Sequence, residues 1–243
     1  MLQLQKTEPP VMLMTSAFKV LLPVAALAVM AAAPVPAAAQ GMTTKTAAAS
    51  DAFPGLRGFL SLSASDRSEI AVYYTIRIKH GDASKASITL NDNGRSTPIH
   101  IGAGGRLSPM PSLSQLDGGA QVTVVYPTDA TTAMKIHVYS TQSPGTTYDA
   151  GRLANGVRQG NNAMGKIAGV LAFGIPKLDR VYFVGGGNAT ADVGGQSRSL
   201  PKTASDGEYP AGTPYFVPDE MRGATRIHLS STPSVAMYDN APK

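Results

Sequence analysis

Between Glu69 and Lys79 the chain reads EIAVYYTIRIK, and polarity alternates at every step. Ile70, Val72, Tyr74, Ile76 and Ile78 fall on one side, with Ala71, Tyr73, Thr75, Arg77 and Lys79 on the other. A helix would scatter the five apolar residues around its circumference, whereas a half-buried strand gathers them on one face. Shorter stretches repeat the pattern. Ile88 and Leu90 alternate before Asp92-Asn93-Gly94, whose last two residues suit the positive φ angles of a tight hairpin. Ile99 and Ile101 mark the return strand, Val122, Val124 and Tyr126 another, and Met134, Ile136 and Val138 one more. Such short strands between turn signals read as antiparallel β structure.

The period changes between Thr147 and Leu171. Ala154, Val157, Met164, Ile167, Ala168 and Leu171 recur at three- and four-residue steps, which predicts a helical segment. Five glycines in it each cost about 0.8 to 1 kcal/mol relative to alanine, so packing against a sheet must supply what propensity lacks. Strand vocabulary returns in DRVYFV (179–184), TPYFV (213–217), RIHL (226–229) and VAMY (235–238). The second half echoes the first: Asp179-Arg180 precedes its strand as Asp66-Arg67 precedes Ile70, and Gly-Ala opens a later strand in both. A tandem duplication and a shared habit of Gly and Pro punctuation explain this echo equally well.

The expected fold class is therefore mainly β: two small antiparallel β-sandwich-like modules joined by a helical segment. The expected layout is a signal peptide over 1–39, a disordered arm over 40–52, a first β module over 53–146, a helical connector over 147–172 and a second β module over 173–243. The arm is assigned because QGMTTKTAAASD is small, polar and aperiodic. The leader is assigned because Lys19 precedes the apolar run VLLPVAALAVMAAAPVPAAA, and Ala37 and Ala39 form the small-residue cleavage pattern before Gln40. Pro23, Pro34 and Pro36 break that run, which suits a cleaved leader better than a lasting membrane span. Met12 or Met14 would give it a more ordinary length. Its alanine-rich end is of bacterial type, so the expected location is periplasmic or secreted.

Composition narrows the chemistry. There is no cysteine, which removes disulfides, thiolate metal sites and thiol nucleophiles. Charged residues are 15% of the 243, and the +5 balance comes from scattered cations such as Arg77, Lys79, Lys135, Arg180 and Arg226. That distribution allows a modest attraction to anionic envelope polymers and lacks a nucleic-acid footprint. Gly185-Gly186-Gly187-Asn188-Ala189-Thr190 follows a strand but has Thr190 where a dinucleotide fingerprint needs glycine, so a hairpin loop is expected there. Asn188-Ala189-Thr190 also matches a glycosylation sequon, a coincidence in a bacterial chain. His100, His137 and His228 each sit between apolar neighbours and point away from the apolar face, with no second ligand at close spacing and no carboxylate locally paired. No metal and no cofactor is called for. No G-x-S-x-G occurs, and no two carboxylates stand out as a catalytic pair.

Tyr73, Tyr139 and Tyr182 lie on strand faces opposite their apolar neighbours. They are the candidate binding residues, as a stacking platform for sugar rings or a partner surface. The favoured alternative is that they cover a second layer, the helix. The functional expectation is an exported, non-catalytic binding or cell-envelope-associated protein whose partner is an envelope component or another protein. A secreted hydrolase with an unrecognised site and a structural subunit assembling through strand edges are the alternatives.

Overall fold

The computed structural model of the 243-residue chain describes residues 41–168, 176–205 and 207–241. The leader and the last residues of the expected connector, 169–172, lie outside the described residues. The fold is mainly β, and every sheet is antiparallel. Among the described residues no helix is long and apolar enough to cross a membrane.

The segment expected as a disordered arm is ordered. Met42–Ala48 forms β1, paired along its whole length with β6 (Gln121–Pro127), and Ala49–Ala52 forms α1. Its sequence hid this because an edge strand needs no apolar alternation: Thr43, Thr44 and Thr46 supply β-branched stiffness, and burial begins only at Ala49 and Phe53, both fully enclosed. β6 continues to β3 (Ser87–Asp92), then β4 (Arg95–Ile101) and β5 (Leu107–Ser108), giving the order β1-β6-β3-β4-β5. Asn93 (φ 48°) and Gly94 (φ 77°) make the two-residue β3–β4 turn.

A four-stranded sheet in the second half has the order β11-β10-β13-β8, from Gln196–Ser199, Ala189–Val193, Ala224–Leu229 and Thr147–Asp149. Thr147–Asp149, expected within the helical connector, is thus a strand. β8, β13, β10 and β11 neighbour one another in the same sequence as β1, β6, β3 and β4.

The third sheet draws on both halves: β12 (Tyr215–Phe216), β9 (Arg180–Val184), β14 (Val235–Asp239), β7 (Thr131–Ser140) and β2 (Ile70–Lys79). β7 and β14 join the halves through Tyr139 opposite Met237 and Val138 opposite Tyr238. The two halves, expected as modules joined by a helical segment, are also joined through this sheet. The β7–β14 pairing is too far apart in sequence for local alternation to reveal.

One face of this shared sheet is covered in two parts, here called lobes. In the first lobe, Tyr74 and Ile76 pack with Ile88, Leu90, Ile99, Leu107 and Val122, with Phe53 and Leu56 of the α1–α2 region, α2 being Leu56–Leu60, and with Leu116 of α3 (Leu113–Asp117). In the second, Val181, Phe183, Ala236 and Tyr238 pack with Ala189, Ala191, Ile227 and Leu229 and with Leu153 and Val157 of α4 (Ala150–Ala168). Asp149 caps α4 by accepting the Arg152 N–H at 2.8 Å, and Arg152 pairs with Glu69 at 2.9 Å. The helix survives its glycines because two of them let the sheet approach. A Cβ on Gly156 would collide with the Tyr238 ring, and one on Gly160 would sit 2.5 Å from Leu178 Cδ1.

Candidate functional site: the tyrosine face of the shared sheet

α4 takes up the apolar face of the shared sheet, so the tyrosines point the other way. This overturns the expectation that the helix covers them. All three candidate tyrosines lie on one face of one sheet. Cross-strand register sets Tyr215 beside Tyr182, Tyr182 beside Met237, Met237 beside Tyr139 and Tyr139 beside Ala71, with Tyr73 opposite His137 in the next row. Neighbouring side chains on a sheet face touch directly, so these residues form one row across the strands. Tyr73 and Tyr139 ring centres are 5.4 Å apart, and Tyr182 and Tyr215 are also 5.4 Å apart. His137 stacks on Tyr73 at 4.9 Å.

Two loop residues lie over this row. The Arg106 guanidinium sits 4.5 Å from the Tyr73 ring centre and 5.6 Å from that of Tyr139. Tyr209 stacks on Tyr182 with centroids 4.0 Å apart and planes within 18°, and its hydroxyl donates to Asp239 Oδ2 at 2.6 Å. Glu208 pairs with Lys135 of β7, holding this loop against the sheet. Arg180 lies 4.9 Å from the Tyr215 ring centre and grips Asp179 by two bonds of 2.7 and 3.0 Å. These contacts leave Tyr73 and Tyr182 buried and Tyr139 and Tyr215 half-buried.

Tyr209 separates two clefts and lines both. One, about 500 Å³, is walled by Arg180, Lys202, Thr203, Ser205, Asp239 and Asn240. The other, about 600 Å³, is walled by Thr75, Arg77, Lys135, His137, Ser234 and Met237. Both fall within the size range of small-ligand sites. On the opposite face an apolar groove of about 310 Å³ runs between α2, β2, β7 and α4, with Ile136 and Ile167 at its exposed rim.

Burial raises the Tyr73 and Tyr182 phenols above their ordinary range, with Arg106 opposing the shift at Tyr73 and Arg180 at Tyr182. Tyr209 rises further, through burial and then through its bond to the Asp239 carboxylate. His137 is lowered by burial and then by Lys135, which favours the neutral ring at pH 7. Its Nε2 lies 2.9 Å from Thr75 Oγ1. Among the described residues no carboxylate hydrogen-bonds this imidazole, so the pair lacks the orienting third group of a nucleophile–base relay. His228, expected without a carboxylate, lies 2.9 Å from Asp192 Oδ2, a neighbour supplied by β10–β13 pairing. No group of three or more potential ligands able to hold a metal occurs among the described residues. The Gly185–Gly187 stretch connects β9 to β10 and so crosses between two sheets, where a hairpin was expected.

Alternation in the sequence found Tyr73, Tyr139 and Tyr182. It missed Arg106 and Tyr209, which reach the face from irregular segments, and Asp239, at the end of β14. Comparisons with protein families, with curated proteins and with solved structures return no match for this chain.

Proposed function

We propose that this chain is an exported, non-catalytic binding protein of the bacterial cell envelope, and that the tyrosine face of the shared sheet is its binding surface. The observation that carries the reading is the row Tyr215–Tyr182–Met237–Tyr139, flanked by two guanidinium groups and opening into a cleft on either side of Tyr209. Aromatic surface beside a few fixed polar groups is the usual make-up of a recognition site. The leader pattern supports export, and the net positive charge that remains after cleavage favours anionic envelope polymers.

The lobes are read as sandwich-like halves descended from one duplicated unit. Support comes from the repeated strand order and from positions that match at one constant spacing: Ala49 with Ala150, Ile88 with Ala189, Asn93-Gly94 with Gly194-Gly195, and Ile99 with Leu200.

The test is to express the full chain in a bacterium, sequence the N-terminus of the recovered product and measure its retention on washed envelope material. The expected result is a product beginning at Gln40 that is retained, with retention lost in the Tyr139→Ala/Tyr215→Ala double variant. A product that keeps residues 1–39, or one that passes through envelope material unretained, would overturn the reading.

A further inference from the structure

Tyr209 behaves as a ligand would. It comes from an irregular loop, lays its ring flat on Tyr182 at 4.0 Å and directs its hydroxyl to a carboxylate at 2.6 Å. A flat ring on an aromatic face, with an edge hydroxyl donating to an acid, is also how a sugar ring is held: its C–H face against the π-system and its hydroxyls in charge-assisted bonds. The walls distinguish a sugar from another phenol. A phenol has one hydroxyl, which Asp239 satisfies. Arg180, Lys202 and Asn240 line the same cleft and already bond Asp179, Asn188 and the Ala241 carbonyl, but Arg180 and Lys202 keep further N–H donors and Asn240 keeps its Oδ1 acceptor, a capacity that several ligand hydroxyls can meet and one phenol cannot. Tyr209 lines both clefts, so with its side chain withdrawn Tyr182 opens to each of them and the aromatic row becomes continuous from Tyr215 to Tyr139.

Resting on the tyrosine-face reading above, we propose that Tyr209 is a built-in occupant of a sugar-ring subsite, and that the ligand is an oligosaccharide one of whose rings replaces Tyr209 on Tyr182 against Asp239. The Tyr209 side chain then competes with the ligand. Apparent affinity is the intrinsic affinity reduced by the fraction of molecules in which the subsite is vacant.

The test applies the purified chain to a printed array of neutral and acidic oligosaccharides. Removing an aromatic contact weakens binding at an ordinary sugar site. Here Tyr209→Ala is expected to tighten binding by about tenfold, as the occupied fraction falls to zero. Tyr209→Phe keeps the ring and loses the Asp239 bond, so it should tighten binding by less and also serves as a variant that preserves packing. Asp239→Asn should abolish binding. An array on which neither the natural chain nor Tyr209→Ala retains any glycan would overturn the proposal. So would Tyr209→Ala weakening binding, or the peptide Gly-Tyr-Gly binding Tyr209→Ala while every glycan fails. Silence on the array together with tyrosine-dependent retention on envelope material would remove the sugar proposal alone. Silence on both would remove the binding surface as well.

Discussion

The two lobes build the same strand order with opposite division of labour. In the first, the sheet supplies the bulk: Ile88 and Leu90 of β3 face Ile99 and Val122, and only short helical turns close the core. In the second, the matching positions on β10 are Ala189 and Ala191, and bulk comes from Leu153 and Val157 of the 19-residue α4 and from Phe183 and Phe216. A close-packed interior holds a fixed volume, so side chains surrendered by a strand must be returned by what lies over it. The long helix and the alanines are therefore one adaptation seen from two sides.

Exchanging residues between matched positions tests this most severely. Leu90→Ala should cost about 2 to 5 kcal/mol, because the surrounding strands cannot close the cavity. Ala191→Leu should cost about 1 to 3 kcal/mol by overpacking, although Leu is what the first lobe carries there. Urea unfolding measures both. Each variant should still unfold in one transition, because the β7–β14 pairing makes the lobes share a sheet. An Ala191→Leu chain as stable as its parent would mean that α4 does not fill the second lobe, and the comparison would fail.

Alkaline titration separates the lobes by their buried phenols. Burial raises Tyr74 in the first, and Tyr148 and Tyr238 in the second, Tyr238 being pushed up to about 12 from 10.0. A phenol whose folded value exceeds its unfolded one binds its proton more tightly in the native state. Its contribution is therefore complete below pH 10 and lost as pH rises from about 10 through 12. For Tyr238, which is 2% exposed, two pH units correspond to about 3 kcal/mol. Phenolate absorbance should lag until the fold opens, and Tyr238→Phe should flatten the loss of stability between pH 10 and 12. All nine tyrosines ionising together near pH 10 in a chain that remains folded would contradict this.

The contact between α4 and the sheet can be probed at one glycine against another. Gly156→Ala meets the buried Tyr238 ring, so overpacking of about 1 to 3 kcal/mol outweighs a helix-propensity gain of about 1. Gly165 has nothing within 4 Å, so Gly165→Ala should instead stabilise by up to about 1 kcal/mol. Thermal melts of the pair should move in opposite directions. If both rise, the helix does not depend on close approach at Gly156.

What could be read in the sequence follows from which interactions are local. Period-two alternation located β2, β3, β4, β6 and β7, strand vocabulary located β9, β12, β13 and β14, and together they placed Tyr73, Tyr139 and Tyr182 on the side away from the apolar residues. It could not show that these tyrosines share a sheet, because Tyr139 reaches Tyr182 only through β14, whose pairing with β7 spans nearly a hundred residues. β1 escaped notice because an edge strand of threonines has one face in water and no apolar stripe. Arg106 and Tyr209 were invisible for another reason: a side chain from an irregular segment has no period, and its destination is set by where the chain returns.

The mildest probe lies at the matched hairpin turns. In the first lobe Asn93, at φ 48°, precedes Gly94; in the second, Gly194, at φ 58°, precedes Gly195. Both turns need the left-handed region at their first residue, and asparagine tolerates it better than any side chain except that of glycine's lone hydrogen. Gly194 has no heavy atom within 4 Å of an added Cβ. Gly194→Asn therefore introduces no clash and restricts the unfolded chain, which should stabilise the protein by about 0.4 to 1 kcal/mol. Asn93→Gly should lose a similar amount in the first lobe. A rise in Tm for one and a fall for the other would mean that the two turns are interchangeable parts. A fall in both would place an unshared constraint on the β10–β11 turn and break the match between the lobes at its most local point.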